Sequence, residues 1–369
     1  MRISVPTETA PREQRVALAP DSVARLVKQL KLEVVVQRGA GLRAGFRDDA
    51  YEAAGATIAD DARGVLSGSN VVAKVQPPSI EEIAAIDSGT TVISLMRPGQ
   101  TKDVVTALAE RKITSLALEL VPRITRAQAM DVLSSQSTVS GYKGVLIGAA
   151  ALGKFLPMLT TAAGNISPAK VFVLGAGVAG LQAIATARRL GGVVSAFDVR
   201  PAAREQVMSL GASFVANELV STSAEAAGGY ARTQTQEEQT NTLAAIGKHI
   251  VDQDLVVTTA QIPGRPAPRL ITAAMVESMR SGSVIVDLAA ETGGNCELTQ
   301  PGETIQAHEV TIIAPLNLPA TVAFHASQMF GRNILELMKH LVRDGALVLD
   351  AADEITGAMM LTHDGAILK

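Results

Sequence analysis

One stretch restricts this chain more than any other: "AKVFVLGAGVAGLQAIATARRLGGVVSAFDVR", Ala169 to Arg200. A continuous apolar run ends in Gly175, Gly177 and Gly180 at GxGxxG spacing, and a helical pattern follows. Asp198 stands at the end of the next apolar run, 18 residues after Gly180. Each part has a physical task in a strand–turn–helix that holds a dinucleotide. Gly175 permits the tight turn, Gly177 lets a pyrophosphate approach the backbone, and Gly180 lets helix and strand pack closely. The helix start, at Val178, Ala179 and Gly180, presents free N–H groups and a positive dipole end to phosphate. Asp198, flanked by Val199, accepts hydrogen bonds from ribose hydroxyls and disfavours a 2′-phosphate. Arg200 stands close enough to blur that choice, but the simpler expectation is a solvated surface arginine.

The same alternation of strand and helix runs through the rest of the chain. "RISVPTE", "LEVVVQRGAG", "NVVAKVQPP", "TTVISLMRPG" and "ITSLALELV" read as strands, with helices such as "PDSVARLVKQL", "DDAYEAAGATIA" and "TKDVVTALAERK" between them. "SFVA", "QDLVVTTAQIPG", "GSVIVDLAAETGG" and "VTIIAPLNLP" continue the second series. Strands alternating with helices predict an α/β chain with parallel sheets covered on both faces. The long helical segment "TVAFHASQMFGRNILELMKHLV" and the short pieces after it are expected to return to the first domain. The architecture is therefore two Rossmann-like, doubly wound domains joined by long helices, with a cleft between. One domain comprises residues 1–134 plus 317–369, and the other residues 135–316.

Composition closes off several function classes. With 47% hydrophobic and 19% charged residues, the chain is globular, and a net charge of −3 gives no basic face for nucleic acid. The one cysteine, Cys296 in "GGNC", allows no disulfide framework and reads as a small buried side chain rather than a nucleophile. The five histidines share no metal-ligand spacing, so no metal is expected. There is neither a GxSxG elbow nor a Walker-type loop. No signal peptide is legible at "MRISVPTE", and the apolar stretch from Gly144 to Ala163 is interrupted by Lys154 and Pro157.

Two polar stretches are candidates for a site. "RITRAQAMDVLSSQSTVSGY" (Arg123–Tyr142) lies between the apolar "ITSLALELV" and the alanine-rich "GVLIGAAAL". It is either a solvated surface segment or a set of polar groups gathered around a ligand. "VSTSAEAAGGYARTQTQEEQTN" (Val220–Asn241) is long for a loop, and Gly228–Tyr230 suit a hinged lid as well as a bland surface turn. A helix is expected to start near Thr233.

Taken with "RVALAP", "IPGRPAP", "SVIVDLAAETGGNC" and the terminal "DGAI", these residues resemble a known family over nearly the whole chain. It is the family of NAD(H)-binding alpha subunits, or domain I, of proton-translocating NAD(P) transhydrogenases, homologous to alanine dehydrogenase. The resemblance implies that Arg123, Gln128, Ala129, Met130, Asp131 and Ser134 approach the nicotinamide and its ribose, with Tyr142 nearby. Gln128 would position the nicotinamide. Val178, Ala179 and Gly180 would face the pyrophosphate, and Asp198 the adenosine ribose. Gly229 and Tyr230 would belong to a mobile loop. Gln261 stands where the family commonly has leucine, which leaves its role open. The resemblance also implies a homodimer, an NADP(H)-binding partner subunit and transmembrane subunits, with this chain peripheral on the cytoplasmic face of the membrane.

Chemistry separates the two branches of the resemblance. Oxidising an amino acid moves a proton as well as a hydride, which calls for an acid/base group. Alanine dehydrogenases place a histidine after the strand that follows the lysine-bearing one and an aspartate after the "VD.A" strand. Here those places hold Leu95, Met96 and Arg97, and Glu291. Arg15 and Lys74 match substrate-carboxylate binders of that relative, but transhydrogenases retain them too. Hydride transfer between two nicotinamides needs position and dryness rather than a base. The expected function is therefore direct hydride transfer between NADH held here and NADP+ on the partner subunit. The alternatives are an alanine dehydrogenase-like enzyme and a non-catalytic NAD(H)-sensing module.

Overall fold

Parallel strands buried on both faces read as unbroken apolar runs, and the computed structural model of this chain places such runs at the centre of two sheets. It describes residues 1–216, 232, 234–262 and 265–369. Met1–Gln136 with Pro319–Lys369 form one compact unit, and Ser137–Leu318 a second.

The first unit begins with strand β1 (Arg2–Val5), helix α1 (Pro20–Leu30) and β2 (Glu33–Gln37). Pro20 opens α1 with its φ already set, Asp21 sits in the first turn, and Lys31 ends the helix in the left-handed conformation. Next come α2 (Asp48–Ala53), β3 (Thr57–Ala59), α3 (Ala62–Leu66), β4 (Val71–Ala73), α4 (Ile80–Ala85), β5 (Thr91–Ser94), α5 (Lys102–Glu110) and β6 (Thr114–Ala117). "DDAYEAAGATIA" is thus not one helix. Gly55, at φ 94°, turns the chain out of α2, and the β-branched pair Thr57–Ile58 continues as a strand. Helix α6 (Val132–Ala151) begins in the first unit and ends in the second.

In the second unit a small hairpin, β7 (Leu159–Thr161) and β8 (Gly164–Ile166), precedes β9 (Lys170–Leu174), α7 (Val178–Arg189), β10 (Val193–Phe197), α8 (Pro201–Ser209) and β11 (Ser213–Phe214). Helix α9 (Gln236–Ile250) starts at a capping box of Thr235 and Glu238. Then follow β12 (Leu255–Thr258), α10 (Ala273–Ser278), β13 (Val284–Asp287), β14 (Thr304–Ala307) and β15 (Val310–Ile313). The chain returns to the first unit through α11 (Ala323–Leu341), the short pair β16 (Val342–Arg343) and β17 (Ala346–Leu347), α12 (Glu354–Met359), β18 (Met360–His363) and β19 (Ala366–Ile367).

The sheet of the first unit has the order β19-β18-β6-β5-β4-β1-β2-β3, and that of the second β11-β10-β9-β12-β13-β15-β14. Pairings are parallel except at the edges, where β14 pairs antiparallel with β15, and β18 with both β6 and β19. In the second sheet the order reverses between β9 and β12, and in the first between β1 and β4. Ligands of doubly wound sheets bind beyond the carboxyl ends of strands at such reversals. No helix among the described residues is long and apolar enough to cross a membrane.

Candidate functional site

At the reversal of the second sheet, β9 runs into the three glycines. Gly175 has φ 92° and donates its N–H to Phe197 O at 2.9 Å. A Cβ there would stand 2.9 Å from Thr259 Oγ1. Gly180 carries the tightest contact of the turn, because a Cβ would lie 1.8 Å from Gly175 O. Gly177 is different. It caps α7 in an extended conformation, and among the described residues a Cβ would meet only a terminal nitrogen of Arg200, at 4.0 Å. The first i→i−4 bond of α7 runs from Leu181 N–H to Gly177 O, so the N–H groups of Val178, Ala179 and Gly180 have no partner within the helix. With the helix dipole they form a cradle for an anion. Val178 is exposed and Ala179 half-buried at its rim.

Asp198 follows β10 and is 7% exposed. Its Oδ2 accepts the Ala176 N–H at 2.7 Å and Arg200 Nη2 at 2.9 Å. Its Oδ1 accepts the Arg200 backbone N–H and Nε–H, both at 2.9 Å. Arg200 is thus not a solvated surface arginine: its side chain is only 19% exposed and lies on Asp198. Val199 between them is half-buried.

The segment after β12 closes the other side of the turn. Thr259 Oγ1 donates to Gly175 O at 3.0 Å. Asn295, fully buried, pairs with Ala260 as a strand neighbour would. Its Oδ1 accepts the Ala260 N–H at 3.0 Å, and its Nδ2 donates to Ala260 O at 2.8 Å and Pro268 O at 2.7 Å. Asp287 anchors the same loop, accepting from Thr258, Ala289, Cys296 and Thr299. Burial pushes the Cys296 thiol up to about 11, which makes it inert. Gln261 is exposed and donates to Leu288 O at 3.1 Å. In the sequence "GGNC" draws attention to its cysteine, whereas the asparagine does the structural task. Neither its burial nor the positive φ of Gly293 and Gly294 before it is written in the sequence pattern.

Helix α6 packs on the same turn through glycines. A Cβ on Gly141 would lie 2.0 Å from Ala179 O, one on Gly144 2.9 Å from Leu288, and one on Gly148 2.5 Å from Leu255. Tyr142 is 42% exposed. Gly229 and Tyr230 lie outside the described residues.

The other predicted residues lie in the first unit. Thr125–Met130 form a 3-10 helix, with Gln128 and Ala129 exposed and Met130 buried. Asp131 accepts the Ser134 N–H at 2.9 Å and the Ser134 hydroxyl at 2.6 Å, so both residues serve the start of α6. Asn333 of α11 holds this segment: its Nδ2 donates to Ala129 O at 2.8 Å, and its Oδ1 accepts from Ser135 at 2.7 Å. Arg123 is exposed, and Arg126 pairs with Asp353 and Glu354.

At the reversal of the first sheet lies a buried charged group. Arg15 bonds Glu13 through Nε (2.8 Å) and Nη2 (2.7 Å), and Gln136 through Nη1 (2.8 Å). Lys74 donates to Glu82 at 2.7 Å and lies 3.6 Å from Glu8. Burial raises the Glu8 carboxyl despite Lys74. Burial also works against ionisation of Glu13, but the Arg15 hydrogen bonds and charge outweigh it and lower it to about 2.

The two domain profiles of the alanine dehydrogenase/PNT family match residues 4–140 (N-terminal domain) and 144–369 (C-terminal domain). The chain belongs to the alanine dehydrogenase/PNT family. It is 47% identical over 376 residues to the first part of the NAD(P) transhydrogenase subunit alpha of Rhodospirillum rubrum, covering 100% of this chain and 98% of that one. A crystal structure of transhydrogenase from Sinorhizobium meliloti superposes with a TM-score of 0.91 at 45% identity, covering 100% of both chains. Alanine dehydrogenase of Mycolicibacterium smegmatis is 29% identical, over 100% of this chain and 95% of the relative.

In this alanine dehydrogenase/PNT chain, the places that distinguish the two branches are structurally engaged. Met96 is fully buried, and the N–H groups of Met96 and Arg97 donate to Glu119. Glu291 accepts the Asn317 N–H at 2.6 Å. The histidines sit apart: His249 bonds Ser195 at 2.8 Å, His340 bonds Asp353 at 2.9 Å, and His363 bonds Thr114 at 3.0 Å.

Proposed function

We propose that this chain is the NAD(H)-binding subunit of a proton-translocating transhydrogenase and presents NADH for direct hydride transfer to NADP+ on a partner subunit. The observation that carries the reading is the glycine turn. Among the described residues, Gly177 leaves open space in front of three N–H groups of α7 that have no partner in the helix, at the reversal of a parallel sheet. That arrangement suits a pyrophosphate, and Asp198 at the end of the adjacent strand suits the adenosine ribose. Gln128 is proposed to position the nicotinamide, with Arg123, Ala129, Met130, Asp131 and Ser134 around it. Asp131 and Ser134 would act chiefly by fixing the start of α6.

The reaction moves H⁻ from C4 of the reduced nicotinamide to C4 of the oxidised one, and no proton is exchanged at either carbon. The protein's task is then alignment and exclusion of water. Leu95, Met96 and Arg97 supply no acid or base, which suits this chemistry and not the oxidation of an amino acid. Arg15 and Lys74 are held by internal carboxylates, which also weighs against a substrate carboxylate there. Proton coupling is assigned to membrane subunits, with this chain docked on the cytoplasmic face as a homodimer.

The test is to mix the chain with an NADP(H)-binding partner subunit and follow hydride transfer from NADPH to an NAD analogue. Rapid transfer supports the proposal. NAD+ reduction with L-alanine by this chain alone would replace it with an amino-acid dehydrogenase. Tight NADH binding without transfer to any partner would leave a sensor.

A further inference from the structure

A carboxylate offers two oxygens and about four acceptor positions. Asp198 has all four filled: Ala176 N–H and Arg200 Nη2–H on one oxygen, Arg200 N–H and Nε–H on the other. As it stands, Asp198 has no acceptor position for a ribose hydroxyl. Two of the four donors are backbone groups that fix the carboxylate in place. The other two belong to one side chain, and they take one position on each oxygen. A planar guanidinium offering two parallel N–H groups has the donor pattern of a vicinal diol.

We propose that Arg200 is a specificity-determining residue whose guanidinium holds the place of the adenosine ribose, and that nucleotide binding exchanges its two side-chain donors for the 2′- and 3′-hydroxyls. This rests on the reading that NAD(H) lies along the glycine turn. The exchange has a second consequence. The displaced guanidinium stays within reach of the ribose, since its terminal nitrogen stands only 4.0 Å from where a Cβ on Gly177 would be. Its positive charge then offsets the repulsion that Asp198 exerts on a 2′-phosphate. Arg200 therefore softens the preference for NAD(H) over NADP(H), rather than sharpening it.

The experiment uses the full chain and the Arg200→Met and Arg200→Gln variants, each checked for fold by circular dichroism. NADH and NADPH affinities are measured by nucleotide fluorescence. In either variant the NADH-over-NADPH preference should rise by roughly tenfold or more, as expected from losing a charge-assisted contact to the phosphate. In the wild-type chain, the Arg200 Nε–H resonance, identified by its loss in Arg200→Met, should shift when ADP-ribose saturates the site. A preference unchanged within about twofold in both variants, or a resonance that stays put at saturation, overturns the proposal. Failure of the wild-type chain to bind NADH overturns the nucleotide reading itself.

Discussion

Gly141→Ala tests how closely α6 and the nucleotide turn are locked. Two effects of opposite sign compete. An alanine inside a helix is favoured over glycine by about 1 kcal/mol. Against this, the new Cβ would stand 2.0 Å from Ala179 O, whereas real Cβ contacts do not fall below 3.0 Å. One element must retreat by at least about 1 Å. The obstacle is a backbone carbonyl in the first turn of α7, so no rotamer change relieves it. Overpacking of this kind costs about 1–3 kcal/mol, and backbone obstruction belongs at the upper end. The net expectation is a loss of about 1–2 kcal/mol, measured as a lower urea midpoint at unchanged slope. The retreat also moves the N–H groups proposed to bind the pyrophosphate, so NADH affinity should fall by about tenfold. Gly153→Ala is the control, since a Cβ there meets nothing within 4 Å among the described residues, and it should shift stability by less than about 0.5 kcal/mol. A Gly141→Ala chain that is more stable than wild type and binds NADH equally well would refute the reasoning.

Gln128→Asn should slow hydride transfer far more than it weakens NADH binding, because it shortens a positioning group; equal losses in both would reduce Gln128 to an affinity contact. Asn295→Ala removes three hydrogen bonds at a fully buried site. It should cost about 3 kcal/mol of the roughly 5–15 available, and unchanged thermal and urea unfolding would count against the role assigned to Asn295. Glu13 has its folded pKa lowered to about 2, so its contribution to stability is fully present above the ordinary carboxylate range near 4.5 and is lost as pH falls towards 2. Glu13→Gln takes the carboxylate away from the buried Arg15 guanidinium, which should cost about 3–5 kcal/mol at neutral pH. The difference from wild type should shrink between pH 4.5 and 2, and a difference that stays constant with pH would oppose the assignment. Cys296, fully buried with its thiol raised to about 11, should resist alkylation at around pH 8 until the chain unfolds.

The parts of the molecule written in local patterns were the legible ones. Strand, glycine spacing, helix and Asp198 all fall within one unit of chain, so the turn at Gly175–Gly180 could be read directly. Thr57–Ala59 could not be read as a strand, because its three residues gain a partner only from β2, about twenty residues earlier. The antiparallel edges depend on where the chain returns, which no local pattern states. Asp131, read for ligand binding, also caps α6, a contact only three residues away in the chain. The pairing of Arg200 with Asp198 was within reach: residues two apart at a strand end project to the same side. Asn295 was not, since its partner Ala260 is 35 positions away.

The glycines of α6 also have a thermodynamic meaning. A contact made by Gly141, Gly144 and Gly148 brings no side-chain rotamers from the helix, so forming it forfeits almost no side-chain entropy. The same poverty removes any cushion. Side chains can absorb a small displacement by changing rotamer, but a backbone face cannot. A movement of the first turn of α7, such as one imposed by a phosphate settling on it, must therefore be taken up by the backbone of α6 around Gly141.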